Sequence, residues 1–152
     1  MPQEQHRLCE YIVLAEFDID TGSTVRCQFP EKIPNYKEDW FAENMLPEGV
    51  HNRVSDYTYM FLNRDGIIYG EPTTSADIRD SNVKHFLFGV NLCRTKYDSS
   101  VRRGAIVKAV AVFSRFSYLE IFKKPLDVAL ELYFTNPSVA VLEVCTQHCN
   151  MF

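Results

Sequence analysis

The stretch Ala105-Ile106-Val107-Lys108-Ala109-Val110-Ala111-Val112-Phe113, followed by Ser114-Arg115-Phe116-Ser117-Tyr118-Leu119, decides how this chain folds. Its first nine residues are apolar apart from Lys108, which is the pattern of a strand covered on both faces. After Ser114 the period changes, because Leu119, Phe122, Leu126, Ala129, Leu130 and Tyr133 recur at helical spacing. Pro125 suits a first helical turn, so the spacing predicts a short turn to Lys123 and a helix over Pro125 to Phe134. Asn136-Pro137 breaks that helix, and Ser138 can cap a last one containing Val139, Val141, Leu142 and Val144.

Upstream of this switch the chain reads as strands. Tyr11 to Phe17 is continuously apolar up to Glu16, as expected of a strand with no wet face, and Asp18 to Gly22 is a turn. Ser23 to Phe29 alternates, which puts Val25, Cys27 and Phe29 on one face and Thr24, Arg26 and Gln28 on the other, and makes the pair a hairpin. Pro30 and Pro34 stop the second strand. A short amphipathic helix is expected between Tyr36 and Leu46, with Trp40, Phe41 and Met45 on its apolar side and Pro47 to Gly49 ending it. Tyr57 to Leu62 is a third strand, and Asn63-Arg64-Asp65-Gly66 is a turn into Ile67-Ile68-Tyr69. Gly70 to Val83 is polar. His85 to Cys93 pairs with Ala105 to Phe113 across a loop, Arg94 to Gly104, that holds Arg94, Lys96, Arg102 and Arg103. Strands joined by hairpins and followed by two helices make an α+β fold, an antiparallel sheet of about five strands covered by helices.

The 152 residues are enough for one core without disulfides or metal. Five cysteines, an odd number, argue for free and mostly buried thiols. The longest apolar runs, Tyr11 to Ala15 and Ala109 to Phe113, fall far short of the roughly 20 residues that cross a bilayer. The first ten residues lack the basic and apolar regions of a signal peptide, so the cytosolic side is the expected compartment. Charge is segregated. Residues 1–83 carry 7 Lys/Arg against 15 Asp/Glu, whereas residues 84–108 carry 6 against 1. The overall charge of −4 and a pI near 5.5 argue against a phosphate-gripping nucleic-acid binder.

Few constellations carry chemistry. Asp20-Thr21-Gly22 after an apolar strand is the motif of aspartic proteases, in which two carboxylates share a proton and activate water. A homodimer would supply both, and Phe86-Leu87-Phe88-Gly89 resembles a downstream segment of the retroviral type. Asp18 beside the loop and the absence of a Gly-rich flap favour a plain hairpin turn instead. The same turn has Ser23 and Phe29 where a calcium loop needs Gly and Glu. Cys145, His148 and Cys149 are too few for a structural zinc. No phosphate-cradling or nucleophile-elbow motif is present, so the reading is of a protein without catalysis, metal or cofactor. A third reading is self-association through an open sheet edge.

Phe29-Pro30 with Pro34, then Leu46-Pro47-Glu48-Gly49, then an apolar strand running into Ser114-Arg115-Phe116-Ser117-Tyr118-Leu119 with Phe122 and Leu126, resembles a longin-type, upstream-DENN domain. More narrowly, Glu10 to Asn63 is similar to the N-terminal Arf-docking domain of a fungal DENN-type trafficking family. The resemblance covers most of residues 10–145. It implies a single longin-like domain over 1–152, the N-terminal part of a longer protein. It also implies a non-catalytic module that binds an Arf-family small GTPase, in its GTP form, during polarised vesicle traffic. Its further partners would be the rest of its own DENN module and the membrane periphery at the cell cortex. The basic loop with Arg94, Lys96, Arg102 and Arg103, and the region of Trp40, are the expected contact surfaces.

Overall fold

A computed structural model describes residues 7–63, 86–102 and 104–151, and of His51 the backbone alone. Its elements are β1 (Tyr11–Asp18), β2 (Gly22–Phe29), α1 (Glu38–Met45), β3 (Ser55–Asn63), β4 (Phe86–Tyr97), β5 (Ala105–Ser114), α2 (Lys123–Thr135) and α3 (Ala140–Cys149). Single 3₁₀ turns at Val50–Asn52 and Leu119–Phe122 precede β3 and α2. The strands form one antiparallel sheet in the order β2-β1-β5-β4-β3. The fold is α+β, with α1 on one face of the sheet and the α2–α3 pair on the other. The expected Asn63–Gly66 turn beyond Asn63, the strand at Ile67 to Tyr69 and the polar stretch at Gly70 to Val83 lie outside the described residues.

Alternation along β1 and β5 splits their apolar side chains between two cores. Ile12, Leu14, Val110 and Val112 face α2 and α3 and meet Phe122, Leu126, Leu130 and Leu142. Val13, Ala15, Val107, Ala109, Ala111 and Phe113 face α1 and meet Phe41 and Met45. Neither strand has a side open to water, which is why both read as unbroken apolar runs. Four of the five thiols, those of Cys9, Cys93, Cys145 and Cys149, are buried and Cys27 is half-buried.

Two expectations are corrected. In β2 the alternation is broken by a bulge. Leu14 pairs with Cys27 but Ala15 pairs with Val25, so Arg26 is an extra residue. Val25 therefore joins the α1 core, while Cys27 and Phe29 pack toward the helix pair. The second correction concerns Arg94 and Lys96, expected in a loop. β4 continues to Tyr97, pairing Arg94 with Lys108 and Lys96 with Ile106, so the connection shrinks to residues 98–104.

Both basic side chains point at α2. The half-buried Arg94 guanidinium donates to Glu131 at 2.7 Å, to Asp127 and to the Ser55 hydroxyl at 3.3 Å. Lys96 Nζ donates to Glu131 at 2.7 Å and lies 4.7 Å from the centre of the Phe134 ring. Lys108, next on the same face, sits 4.3 Å from the Tyr133 ring centre and 3.8 Å from Glu16. Burial lowers its pKa below that of an ordinary lysine. The strand cations thus hold α2 in register with the sheet, beside its apolar stripe.

Three outcomes are expected. Leu130, wholly buried, should cost about 2 to 5 kcal/mol on truncation to alanine, read by denaturant titration. Gly89 lies under Phe113, and a Cβ there would stand 2.5 Å from Phe113 Cε1. That ring is fully buried and packed edge-on against Phe41, so it cannot give way. Gly89→Ala should destabilise by about 1 to 3 kcal/mol, and Phe113→Leu in the same chain should recover part of it. A neutral single variant would mean that the ring shifts freely.

The third outcome is a pH dependence. Hydrogen bonds from Lys96 and then Arg94 hold the Glu131 carboxyl below its ordinary pKa. A carboxylate lowered in the folded state stabilises above the ordinary carboxylate range and loses that contribution as pH falls through its folded pKa. The group is half-exposed, so Glu131→Gln should cost only about 0.5 to 1 kcal/mol near neutrality. The difference from wild type should shrink and then vanish as pH falls below the ordinary carboxylate range and through the lowered folded-state pKa. A difference independent of pH would assign the loss to packing.

Candidate docking surfaces

The α1 face is built from a short helix and a tight turn. Glu38 and Asp39 occupy the first turn of α1, where the helix dipole favours acids, and Phe41, Ala42 and Met45 go into the core. Trp40 is left half-buried, 5.0 Å from the Tyr36 ring and 5.2 Å from Phe41. Asn91, wholly buried in β4, donates from Nδ2 to the Met45 carbonyl at 2.9 Å and to Thr58 Oγ1 at 3.1 Å, which pins the end of the helix to the sheet. Leu46-Pro47-Glu48-Gly49 then reverses the chain. The Val50 N–H donates to the Pro47 carbonyl at 3.1 Å, and Gly49 has φ of 81°, a left-handed backbone that a side chain would strain.

Between this turn, the end of α1 and the start of β5 lies a cleft of about 610 Å³. Phe17, Leu46, Val50 and Val107 make its floor, and Glu43 and Glu48 stand at its mouth. Both carboxylates are exposed, and neither pairs with a cation among the described residues. Glu43 follows Trp40 by three residues, so the two share a side of α1. Leu46-Pro47-Glu48-Gly49 reads in the sequence as a helix stop, and the signal of a rimmed cleft is Glu43 and Glu48 on either side of the apolar Met45-Leu46-Pro47 run.

The expected contact residues do not form one patch. Arg94 and Lys96 are together, on the α2 face and already engaged with Asp127 and Glu131. Trp40 is across the sheet from them. Arg102 is exposed in the β4–β5 connection and borders a small recess of about 310 Å³ that Glu16, Asp18 and Lys108 also line. Arg103 lies outside the described residues. That connection is shaped by Asp98, whose Oδ1 accepts from the Ser100 N–H at 2.9 Å and its hydroxyl at 2.6 Å.

At the β1–β2 hairpin the working carboxylate is that of Asp18. It accepts from the Asp20 N–H at 2.7 Å and the Thr21 N–H at 3.1 Å, and these bonds keep its pKa below the usual value. Asp20 is exposed at the tip, and Phe86 to Gly89 is the start of β4 packed in the sheet, so nothing in this geometry favours a protease. Burial pushes the Cys93 thiol up to about 12, which keeps it protonated and inert. Among the described residues no three His, Cys, Asp or Glu side chains gather as a metal site, and no helix is long and apolar enough to cross a membrane.

Residues 11–85 match the family described as the docking domain of Afi1 for Arf3 in vesicle trafficking. An AFI1-like protein of Schizosaccharomyces pombe is 30% identical over 148 residues, which is 93% of this chain and 23% of that protein. A DENND6 homologue of Dictyostelium discoideum is 27% identical over 139 residues, 89% of this chain and 18% of its own length. The chain therefore spans less than a quarter of these curated relatives. The matched segment begins with β1 and ends at the residue before β4, so it contains α1, Trp40 and most of the cleft wall. Arg94, Lys96, Arg102, Arg103 and the helix pair lie beyond it. By these matches the chain is similar to the DENN-related docking domains of the Afi1 type.

Proposed function

We propose that this chain is a non-catalytic docking module that binds an Arf-family small GTPase, in its GTP form, during polarised vesicle traffic. The observation that carries the reading is the match of residues 11–85, the β1–β3 half with α1, to a docking domain for Arf3. A module that docks and does not react needs a rigid sheet and an open surface, and it needs no activated nucleophile. The buried thiols and the turn-bound Asp18 are consistent with that. On this reading the chain is a single domain that works with the remainder of a longer DENN-type protein at the cell cortex.

Trp40, Arg102 and in part Lys96 are the expected residues with surface left for a partner. Trp40 contributes apolar area beside the α1 cleft, and Arg102 with Arg103 steers encounter by attracting acidic groups elsewhere on the partner's surface to the β4–β5 connection. Arg94 and Lys96 act at one remove by holding α2. The test is retention of Arf-family and Rab-family GTPases, each loaded with a non-hydrolysable GTP analogue or with GDP, on the immobilised chain. Selective retention of a GTP-loaded Arf-family member is expected, with no acceleration of its nucleotide release. Arg102→Glu should slow association and leave the unfolding midpoint unchanged. Retention of no Arf-family member in either state would sink the reading.

A further inference from the structure

We propose that the cleft beside the C-terminal end of α1 is the socket for the GTPase, and that it receives an apolar side chain flanked by lysine or arginine on the partner's surface. The inference rests on the docking reading above and adds to it the place and the chemistry of contact. The floor is apolar, and the mouth carries Glu43 and Glu48, two exposed carboxylates without a cation among the described residues. An apolar floor gives affinity by removing area from water, while charges at a wet mouth set register and encounter rate. A partner side chain that is apolar but surrounded by negative charge would be repelled there. One framed by Lys or Arg satisfies floor and mouth together.

Position supports the same choice. Eight of the ten residues lining the cleft fall within the segment that matches the Arf3-docking domain, Ala105 and Val107 being the exceptions. A second apolar groove, of about 500 Å³ between α2 and α3, is lined by Ile121, Val128, Leu132 and Val144 with Lys124 and His148. It lies wholly outside that segment, and its charge is of the opposite sign. The socket is also preformed. Asn91 fixes the last turn of α1, and Gly49 fixes the turn that follows, so little ordering is required on binding.

The experiment compares the chain with Glu43→Lys/Glu48→Lys and, separately, with Ala105→Trp, which fills the cleft from its β5 side. Affinity for the Arf-family GTPase that the wild-type chain retains is read by biolayer interferometry at low and high salt, with a denaturant midpoint as the folding control. Charge reversal at two exposed, unpaired positions should leave the midpoint in place. It should weaken binding about tenfold or more, some 1.4 kcal/mol, and reverse the salt dependence. Ala105→Trp should abolish binding, and if it fails to fold the charge reversal decides alone. Wild-type affinity and salt dependence in the reversed variant would overturn the socket while the docking reading stands. A wild-type chain that retains no Arf-family GTPase removes the reading and the socket with it.

Discussion

The structure depends on a sheet whose centre has no wet face. β1 and β5 bury side chains on both sides, so the chain must supply cover twice, with α1 over one face and α2–α3 over the other. Polar groups that the sheet retains are favoured when they find a partner inside that sandwich, although Asn91 Oδ1 and Thr95 Oγ1 have none among the described residues. Asn91 finds the end of α1, Arg94 and Lys96 find the acids of α2, and Lys108 finds Glu16 and two aromatic rings. These polar ties fix where each helix sits, because apolar contact alone is indifferent to small slides along the sheet. The shape of the α1 cleft follows from the first of them.

Much of this was legible in the residues. The apolar runs at Tyr11 and Ala109 announced strands buried on both faces, and the change of period after Ser114 announced α2, found over Lys123–Thr135. What was not legible is instructive. A bulge adds a residue without altering composition, so alternation in β2 gave the right strand and the wrong face for Val25. Arg94 and Lys96 looked like loop residues because their partners are more than thirty positions away, on a helix that local pattern could not bring near. Partnering at that separation is a tertiary fact, and it turned the expected docking field partly into internal scaffolding. The cleft has no local signature for the same reason, since its floor joins residues from β1, the α1 end and β5.

The segregation of charge acquires a different meaning once those partnerships are counted. The sequence places its positive excess in residues 84–108 and its negative excess in residues 1–83. Three of the six cations of the basic stretch, Arg94, Lys96 and Lys108, are consumed against Asp127, Glu131 and Glu16. The acids of α1 and its following turn are not consumed to the same extent, as Asp39, Glu43 and Glu48 enter no ion pair among the described residues while Glu38 meets Lys32. The field that reaches solvent from the α1 side is therefore acidic, and that side also presents Trp40 and the apolar cleft. Long-range charge selects what approaches, and apolar area decides what stays. A chain that pairs Arg94, Lys96 and Lys108 internally and leaves Glu43 and Glu48 beside an apolar recess presents, at that recess, a surface suited to basic groups.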